Sequence, residues 1–349
     1  MHDNTTSILG DRKGVYMATI ADVAKRAGVS KSTVSNVVGN RKYVSETLKK
    51  RVYKACRELH YVPSYTAAMI VTKKTGIIGL FLDSEVQYED YLGDLIKGAV
   101  LAARERAYKL LLYSAHAMNE IGDSLQPHKE PIDAAILINP RRGDVLPQGE
   151  GSIPHVVMGR TAAEGMLSVD ADNRAITRDM TQKLFQLGHR RFLYVGVDDK
   201  FTVGHDRLAG FYEALDAAGI GRDTVRMTVA DRDGTGIMND FCRHRVWEGC
   251  TAVIVPSDLV GERVYAAMDA LGLRPGQELS VASLGGAEIA PALSPPLSTV
   301  RVDYETIGRA CVEQLLSILD GGEGTSLLIP SKLCLTESIG PPVIGNIRG

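Results

Sequence analysis

Residues 27–36 read AGVSKSTVSN, a run too polar for a core and too regular for a loop. Its chemistry is hydrogen bonding rather than bond breaking. Ser30, Thr33 and Ser35 offer hydroxyls to phosphate oxygens, and Lys31, Ser32 and Asn36 are left to face base edges. Asn bonds adenine in bidentate fashion, and Lys reaches guanine O6 and N7. To act together, these side chains need a short helix fixed by its apolar positions. Ala24, Gly28, Val34 and Val37 have that spacing. Ala24 is small where two helices cross, Gly28 makes a turn that wants φ > 0, and the two valines pin the second helix to the first. This is helix-turn-helix spacing, which lays its second helix in a major groove.

The elements that must position this stretch can be read around it. Thr19 caps a first helix through Ile20, Val23, Ala24 and Ala27, which Gly28 ends. Ser30 caps a second helix from Lys31 to about Val38. Ser45 caps a third, with Leu48, Val52, Ala55 and Leu59 on one face and Lys49, Lys50, Arg51, Lys54 and Arg57 mostly off it. After Pro63, Ser64–Val71 reads as a further short helix, which alone in water would be mostly unfolded. Charge supports the assignment. Residues 17–75 hold 12 Lys/Arg against 3 Asp/Glu, whereas the rest of the chain brings the formal total to -2. A small basic segment precedes a large acidic body, so the first part suits a polyanion and the second does not.

From Ile77 the texture changes. Apolar runs alternate with helical stretches: Ile77–Leu82, Leu110–Tyr113, Ala134–Ile138, Phe192–Val197 and Thr251–Pro256, against helices over Asn173–Leu187, Asp206–Ala218, Leu259–Leu271 and Tyr304–Leu319. Continuous apolar strands between helices predict an α/β fold with parallel sheets covered on both faces. The length allows two such sheets and a cleft between two subdomains. Residues 1–16 lack the apolar core of a signal peptide and read as a flexible tail. The five scattered cysteines, with no CxxC, read as buried reduced thiols of a cytoplasmic protein.

Other chemistry finds little support. The sequence contains no P-loop, no GxGxxG after a strand, no GxSxG and no HExxH, so it is read as no enzyme, with no cofactor and no metal. His189 reads as a turn or surface residue rather than a base, and Asp198-Asp199 as a charged loop. The alternative function is a small-molecule receptor of a transport system without a DNA-binding role. The body alone permits it; the basic segment argues against it.

TIADVAKRAGVSKSTVSNVVGN, YVSETLKKRV and ELHYVPS resemble the lactose-repressor (LacI/GalR) family of bacterial transcription regulators. GHRRFLYVG, DRLAGFYEAL, PSDLVGERV and PPLSTVRVDYETIGRACVEQLL resemble that family's body motifs, in the family's order. The resemblance implies a homodimeric repressor of a pseudo-palindromic operator on double-stranded DNA, controlled by an effector. Lys31 and Ser32 take the main base-reading positions and Asn36 the third, where Arg is commoner. Thr19, Ser30, Thr33, Ser35, Tyr43 and Tyr61 would hold the DNA backbone. The helix after Pro63 would be the hinge helix, with Ile70 as a minor-groove wedge and Ala67 beside it.

The same resemblance divides the chain into a tail (1–16), a helix-turn-helix domain (17–63), a hinge helix and linker (64–76), a periplasmic-binding-protein-like body (77–340) and a C-terminal tail (341–349). The body's subdomains would be 77–169 with 303–322, and 170–302 with 323–340. In the cleft, Arg207 would hold a hydroxyl pair or carboxylate, Tyr304 would stack on a ligand ring, Tyr91 and Leu95 would form the near wall, and Ser257 and Asp258 would line the far one. Gly159, Ser257 and Gly285-Gly286 replace polar groups that commonly bind sugar hydroxyls in relatives, which points away from a simple neutral hexose or to a degenerate pocket. The effector class stays open among a sugar, a sugar derivative and a nucleobase.

Overall fold

The computed structural model describes residues 18–38, 44–61, 74–83, 91–115, 125–126, 130–141, 146, 152–160, 165–197, 201–231, 234–285 and 289–343. The chain forms two compact units, residues 1–75 and 76–349. Tyr43, Ala67, Ile70, the expected hinge helix, Asp198-Asp199 and Gly286 lie outside the described residues.

The first unit contains α1 (Ile20–Ala27), α2 (Lys31–Val38) and α3 (Glu46–Glu58). Thr19 caps α1 in a capping box with Asp22. Gly28 ends α1 at φ 62°, the left-handed conformation that its position predicted. Ser30 caps α2, its Oγ accepting from the Thr33 N–H at 3.1 Å. Ser45 occupies the corresponding place before α3 but makes no capping bond. Val23, Ala24, Ala27, Val34, Val37, Val52 and Ala55 are buried together, with Leu48, Leu59 and Tyr61 packed against them. At the surface Arg26 meets Glu58 at 2.6 Å, joining the ends of α1 and α3.

In the second unit, β1 (Ile77–Asp83), β2 (Lys109–Ala115), β3 (Ala134–Ile138), β4 (His155–Met158), β5 (Ser168–Ala171) and β11 (Leu327–Ile329) form one sheet in the order β11-β5-β4-β3-β1-β2. Every pairing in it is parallel. The second sheet, order β7-β6-β8-β9, is also parallel and uses β6 (Phe192–Gly196), β7 (Val225–Val229), β8 (Ala252–Val255) and β9 (Ser280–Ser283). β10 (Thr299–Val302) and β12 (Ser331–Cys334) make an antiparallel pair. β3 and β8 are buried along their whole length, as their apolar runs required.

The helices are α4 (Leu92–Glu105), α5 (Asn173–Gln186), α6 (Thr202–Ala217), α7 (Thr235–Cys242), α8 (Asp258–Ala270) and α9 (Tyr304–Leu319). α4 packs on α9 and α5 on α6, each pair closing at glycines. Two chain crossings share one device. Asp172 leads β5 into α5 and Asp303 leads β10 into α9, each capping the helix it starts.

Three expectations need correction. β5 runs to Ala171 in the first sheet with β11 beside it, so the breaks expected after residues 169 and 322 fall instead at Asp172 and between β11 and β12. α6 starts a turn before Asp206, because Phe201 forms a backbone bridge with Arg141 and the helix can begin directly after it. His189 is not at the surface. It is buried, its Nε2 lying 2.8 Å from the Gly340 carbonyl and its Nδ1 3.0 Å from the Thr251 hydroxyl. Burial holds its pKa below the usual histidine value, so it serves as a neutral fastener for the C-terminal segment. All five cysteines are free thiols, with Cys250 and Cys311 buried. Among the described residues no helix is long and apolar enough to cross a membrane, and no cluster of His, Cys, Asp or Glu could hold a metal.

Candidate nucleic-acid interface and ligand cleft

α2 buries Val34 and Val37 and leaves Lys31 and Ser32 exposed and Thr33, Ser35 and Asn36 half-buried. The polar face predicted from spacing is therefore the open one. The Ser30 Oγ lies 2.7 Å from the Ser32 Oγ and 2.9 Å from the Thr33 Oγ1, so one hydroxyl cluster marks the start of the helix. A helix N-terminus carrying hydroxyls suits a phosphate. Thr19 is partly committed: its Oγ1 donates to Asp22 at 2.7 Å. Tyr61 is half-buried against the head's core.

Sequence reasoning passed over two residues that hold α2 in place. The Arg51 Nη2 donates to the Ala27 carbonyl at 2.7 Å and to the Gly28 carbonyl at 3.3 Å, clamping the turn before α2. The Tyr53 hydroxyl donates to the Val37 carbonyl at 3.3 Å, at the other end. Both lie on α3; the sequence placed Arg51 among the charged residues off its apolar face and gave Tyr53 no role. Arg51→Ala removes both bonds, together worth about 1.5 kcal/mol, so operator affinity should fall roughly tenfold. The slope of affinity against salt separates two causes. An unchanged slope is expected for a clamp; a slope lower by about one would mean that Arg51 touches a phosphate instead.

In the second unit, topology locates the cleft. Open parallel sheets take ligands beyond the carboxyl ends of their strands, where strand order reverses. In the first sheet that place is between β1 and β3; in the second it is between β6 and β8. Tyr91 and Asn139 stand at the first. Arg207, Ser257 and Asp258 stand at the second. The Arg141–Phe201 bridge and the Thr202 hydroxyl bond to the Arg160 carbonyl join the two sides.

Tyr91 stacks on Tyr304 with centroids 4.5 Å apart, and the Asn139 Nδ2 donates to the Tyr91 hydroxyl at 2.6 Å. The Arg207 Nε donates to the Asn173 Oδ1 at 3.0 Å and its Nη1 to the Pro256 carbonyl at 2.8 Å. Its Nη2 makes no hydrogen bond among the described residues. Beside it, Asp206 meets Arg160 at 3.4 Å across the cleft. The arrangement offers a stacked aromatic pair at one switch point and a fixed guanidinium at the other, groups that suit a ring bearing vicinal hydroxyls or an anionic group.

The other expected positions differ. Leu95 has no exposed surface and belongs to the core under α4. Asp258 is buried and accepts from the Thr299 Oγ1 at 2.6 Å, so its carboxylate serves the fold. The Ser257 Oγ caps α8, accepting from the Val260 N–H at 3.4 Å. Gly159 and Gly285 have φ of 101° and 115°. A Cβ at Gly159 would lie 2.8 Å from the Asn139 Oδ1, and one at Gly285 2.7 Å from the Val300 carbonyl oxygen. Asn139 thus brings a polar group to the place that Gly159 left bare. No motif announces it; its φ of 47° aims it there.

Residues 19–64 match the family model of bacterial regulatory proteins of the lacI family, and residues 181–338 match the periplasmic binding protein-like domain. The chain thus carries a lacI-family DNA-binding segment followed by a periplasmic-binding-protein-like domain. It is a helix-turn-helix transcriptional regulator with a small-molecule-binding body. The regulator CelR of Thermobifida fusca is 29% identical over 336 residues, covering 92% of this chain and 98% of that protein. The ribose operon repressor of Escherichia coli is 28% identical over 314 residues, covering 86% and 92%. Among solved structures, a CelR–cellobiose complex aligns with TM-score 0.67 at 27% identity, over 92% of this chain and 99% of that one. A lac repressor dimer bound to operator shares the fold, with TM-score 0.79 at 21% identity over 93% and 100%.

Proposed function

We propose that this LacI-family regulator is a cytoplasmic homodimeric repressor of a pseudo-palindromic operator, released or tightened by a sugar bound between the two sheets. The observation that carries the reading is the pairing of switch points: a stacked tyrosine pair on one side and an oriented arginine on the other. In the head, Lys31, Ser32 and Asn36 read bases, and Ser30, Thr33 and Ser35, with Thr19, Tyr43 and Tyr61, take phosphates. Ala67 and Ile70 enter the minor groove. The relatives favour a sugar, one being solved with cellobiose and another named for the ribose operon. Ligand closure would rotate the subdomains about the Asp172 and Asp303 crossings and alter the spacing of the two hinges. Linkage then requires DNA and sugar to change each other's affinity by the same factor. No catalytic step and no cofactor belongs to this mechanism.

The test is selection of genomic fragments by the full-length protein, followed by binding across a salt series with cellobiose, maltose or ribose added. A preferred palindromic sequence, a steep loss of affinity with salt and a shift with one sugar are expected. Equal affinity for all duplexes under every condition would overturn the reading.

A further inference from the structure

We propose that Asp170 and Asn173 are positioning residues for the cleft arginine: they orient the Arg207 guanidinium and tie it to the crossing from β5 to α5. The proposal rests on reading the cleft as the effector site. Asp170 lies in β5, opposite Leu328 of β11, and so belongs to the first sheet. Arg207 lies on α6, against the second sheet. Asn173, the first residue of α5, stands between them. Its Oδ1 accepts from the Arg207 Nε at 3.0 Å, and its Nδ2 donates to the Asp170 Oδ2 at 3.1 Å. The Asp170 Oδ1 accepts from the Ala171 N–H at 2.7 Å. All three side chains are at least nine-tenths buried. A carboxylate in one subdomain therefore reaches a guanidinium in the other through a single amide, across a point where the chain itself crosses.

The direction of each bond matters. A charged Asp170 only accepts, so Asn173 must turn its NH2 toward it. That leaves the Asn173 carbonyl facing Arg207, which only donates. The carboxylate thus fixes which end of the amide the arginine meets. Displacing Arg207 toward a ligand would pull on Asn173 and hence on the start of α5.

The charge on Asp170 does not favour the fold at neutral pH. Its surroundings are Arg207 and Asp206 of α6, Asn173 of α5 and Cys311 of α9. Burial pushes its carboxyl from 3.8 up to about 6. The Ala171 N–H, Arg207 and Asn173 oppose that rise, and Asp206 adds to it. A carboxyl raised on folding favours the folded state at low pH, and that support is lost as pH rises through about 6. At neutral pH the charged group weighs against the fold. An asparagine would fill the same volume without that charge. Groups kept against stability cluster where they serve a site.

The test uses the full-length protein and the Arg207 15Nε–1H signal, assigned by its absence in Arg207→Lys. In the parent, the signal should shift with a midpoint near pH 6, and its proton should exchange slowly above that. Asp170→Asn should abolish the pH step, and Asn173→Ala should speed exchange at least tenfold. If Asn173→Ala does not fold, Asp170→Asn decides alone. A pH step retained in Asp170→Asn overturns the proposal. Calorimetry with cellobiose, maltose and ribose at pH 7.5 and 5.5 supplies the functional arm. For a sugar that binds the parent, Asp170→Asn should weaken binding about tenfold at pH 7.5 and remove the difference between the two pH values. Unaltered affinity and pH dependence would count against the relay. Binding of none of these sugars would instead overturn the sugar reading, with the arginine signal still deciding the relay.

Discussion

Gly98→Val is expected to destabilise the body by about 3 kcal/mol or more, whereas Gly93→Ala, five residues earlier on the same helix, should leave it unchanged or slightly firmer. At Gly98 a Cβ would stand 1.9 Å from the Glu305 carbonyl oxygen; at Gly93 it meets nothing within 4 Å. The neighbour at Gly98 is backbone, so no side chain can swing aside. α4 and α9 would have to separate, and Gly308, whose Cβ would lie 2.0 Å from the Leu95 carbonyl oxygen, would lose its contact too. Leu95, Ala99 and Ala102 are buried in the same core. Separation therefore opens space that no rotamer can fill. Gly93 lies exposed in the first turn of α4, where alanine removes only unfolded-chain freedom. Thermal and urea unfolding of the full-length pair give the comparison. A Gly98→Val midpoint within two degrees or so of the parent would show that the helix crossing tolerates what its geometry forbids.

How far the sequence reached depended on the range over which each feature is set. The head was legible because its determinants are local. Thr19, Gly28 and Ser30 act within three or four residues, and Val34 and Val37 are buried as their spacing required. β3 and α9 came out with their ends because a fully buried run and an aspartate cap both lie in the chain at those points. The short strands β5, β10, β11 and β12 were not visible one by one, since three or four residues carry no reliable period. Their pairing also joins distant segments: β11 finds β5 across more than half of the body. In the cleft, Arg207 was found through its motif. Asn139 was not, because its partner Tyr91 is 48 residues away and its direction comes from a left-handed backbone. Ser257 and Asp258 lay where expected in the chain but were already taken, one by a helix start and the other by Thr299. A motif gives an address; only packing shows whether the group there is free.

Arg207 carries the largest expected functional effect. Arg207→Ala should weaken sugar binding by roughly 100-fold, in line with a lost charge-assisted bidentate contact of about 2–3 kcal/mol, and leave operator affinity without sugar close to the parent value. The two protein bonds set the reason. With Nε held by Asn173 and Nη1 by Pro256, the guanidinium plane is fixed before a ligand arrives, so little entropy is lost on binding. Alanine removes the donor and also strands the Asn173 carbonyl in a buried setting, which adds a stability cost of about 1–2 kcal/mol. Arg207→Lys separates charge from geometry. Its ammonium can satisfy one partner but cannot span Asn173, Pro256 and a ligand together. Lysine should therefore behave nearly like alanine in sugar response while keeping more of the attraction to Asp170. Operator release measured by fluorescence anisotropy, with whichever of cellobiose, maltose and ribose acts on the parent, distinguishes the cases. Normal release in Arg207→Ala would exclude the arginine from the site. Normal release in the lysine variant alone would mean that positive charge, and not a planar oriented fork, is what the ligand meets.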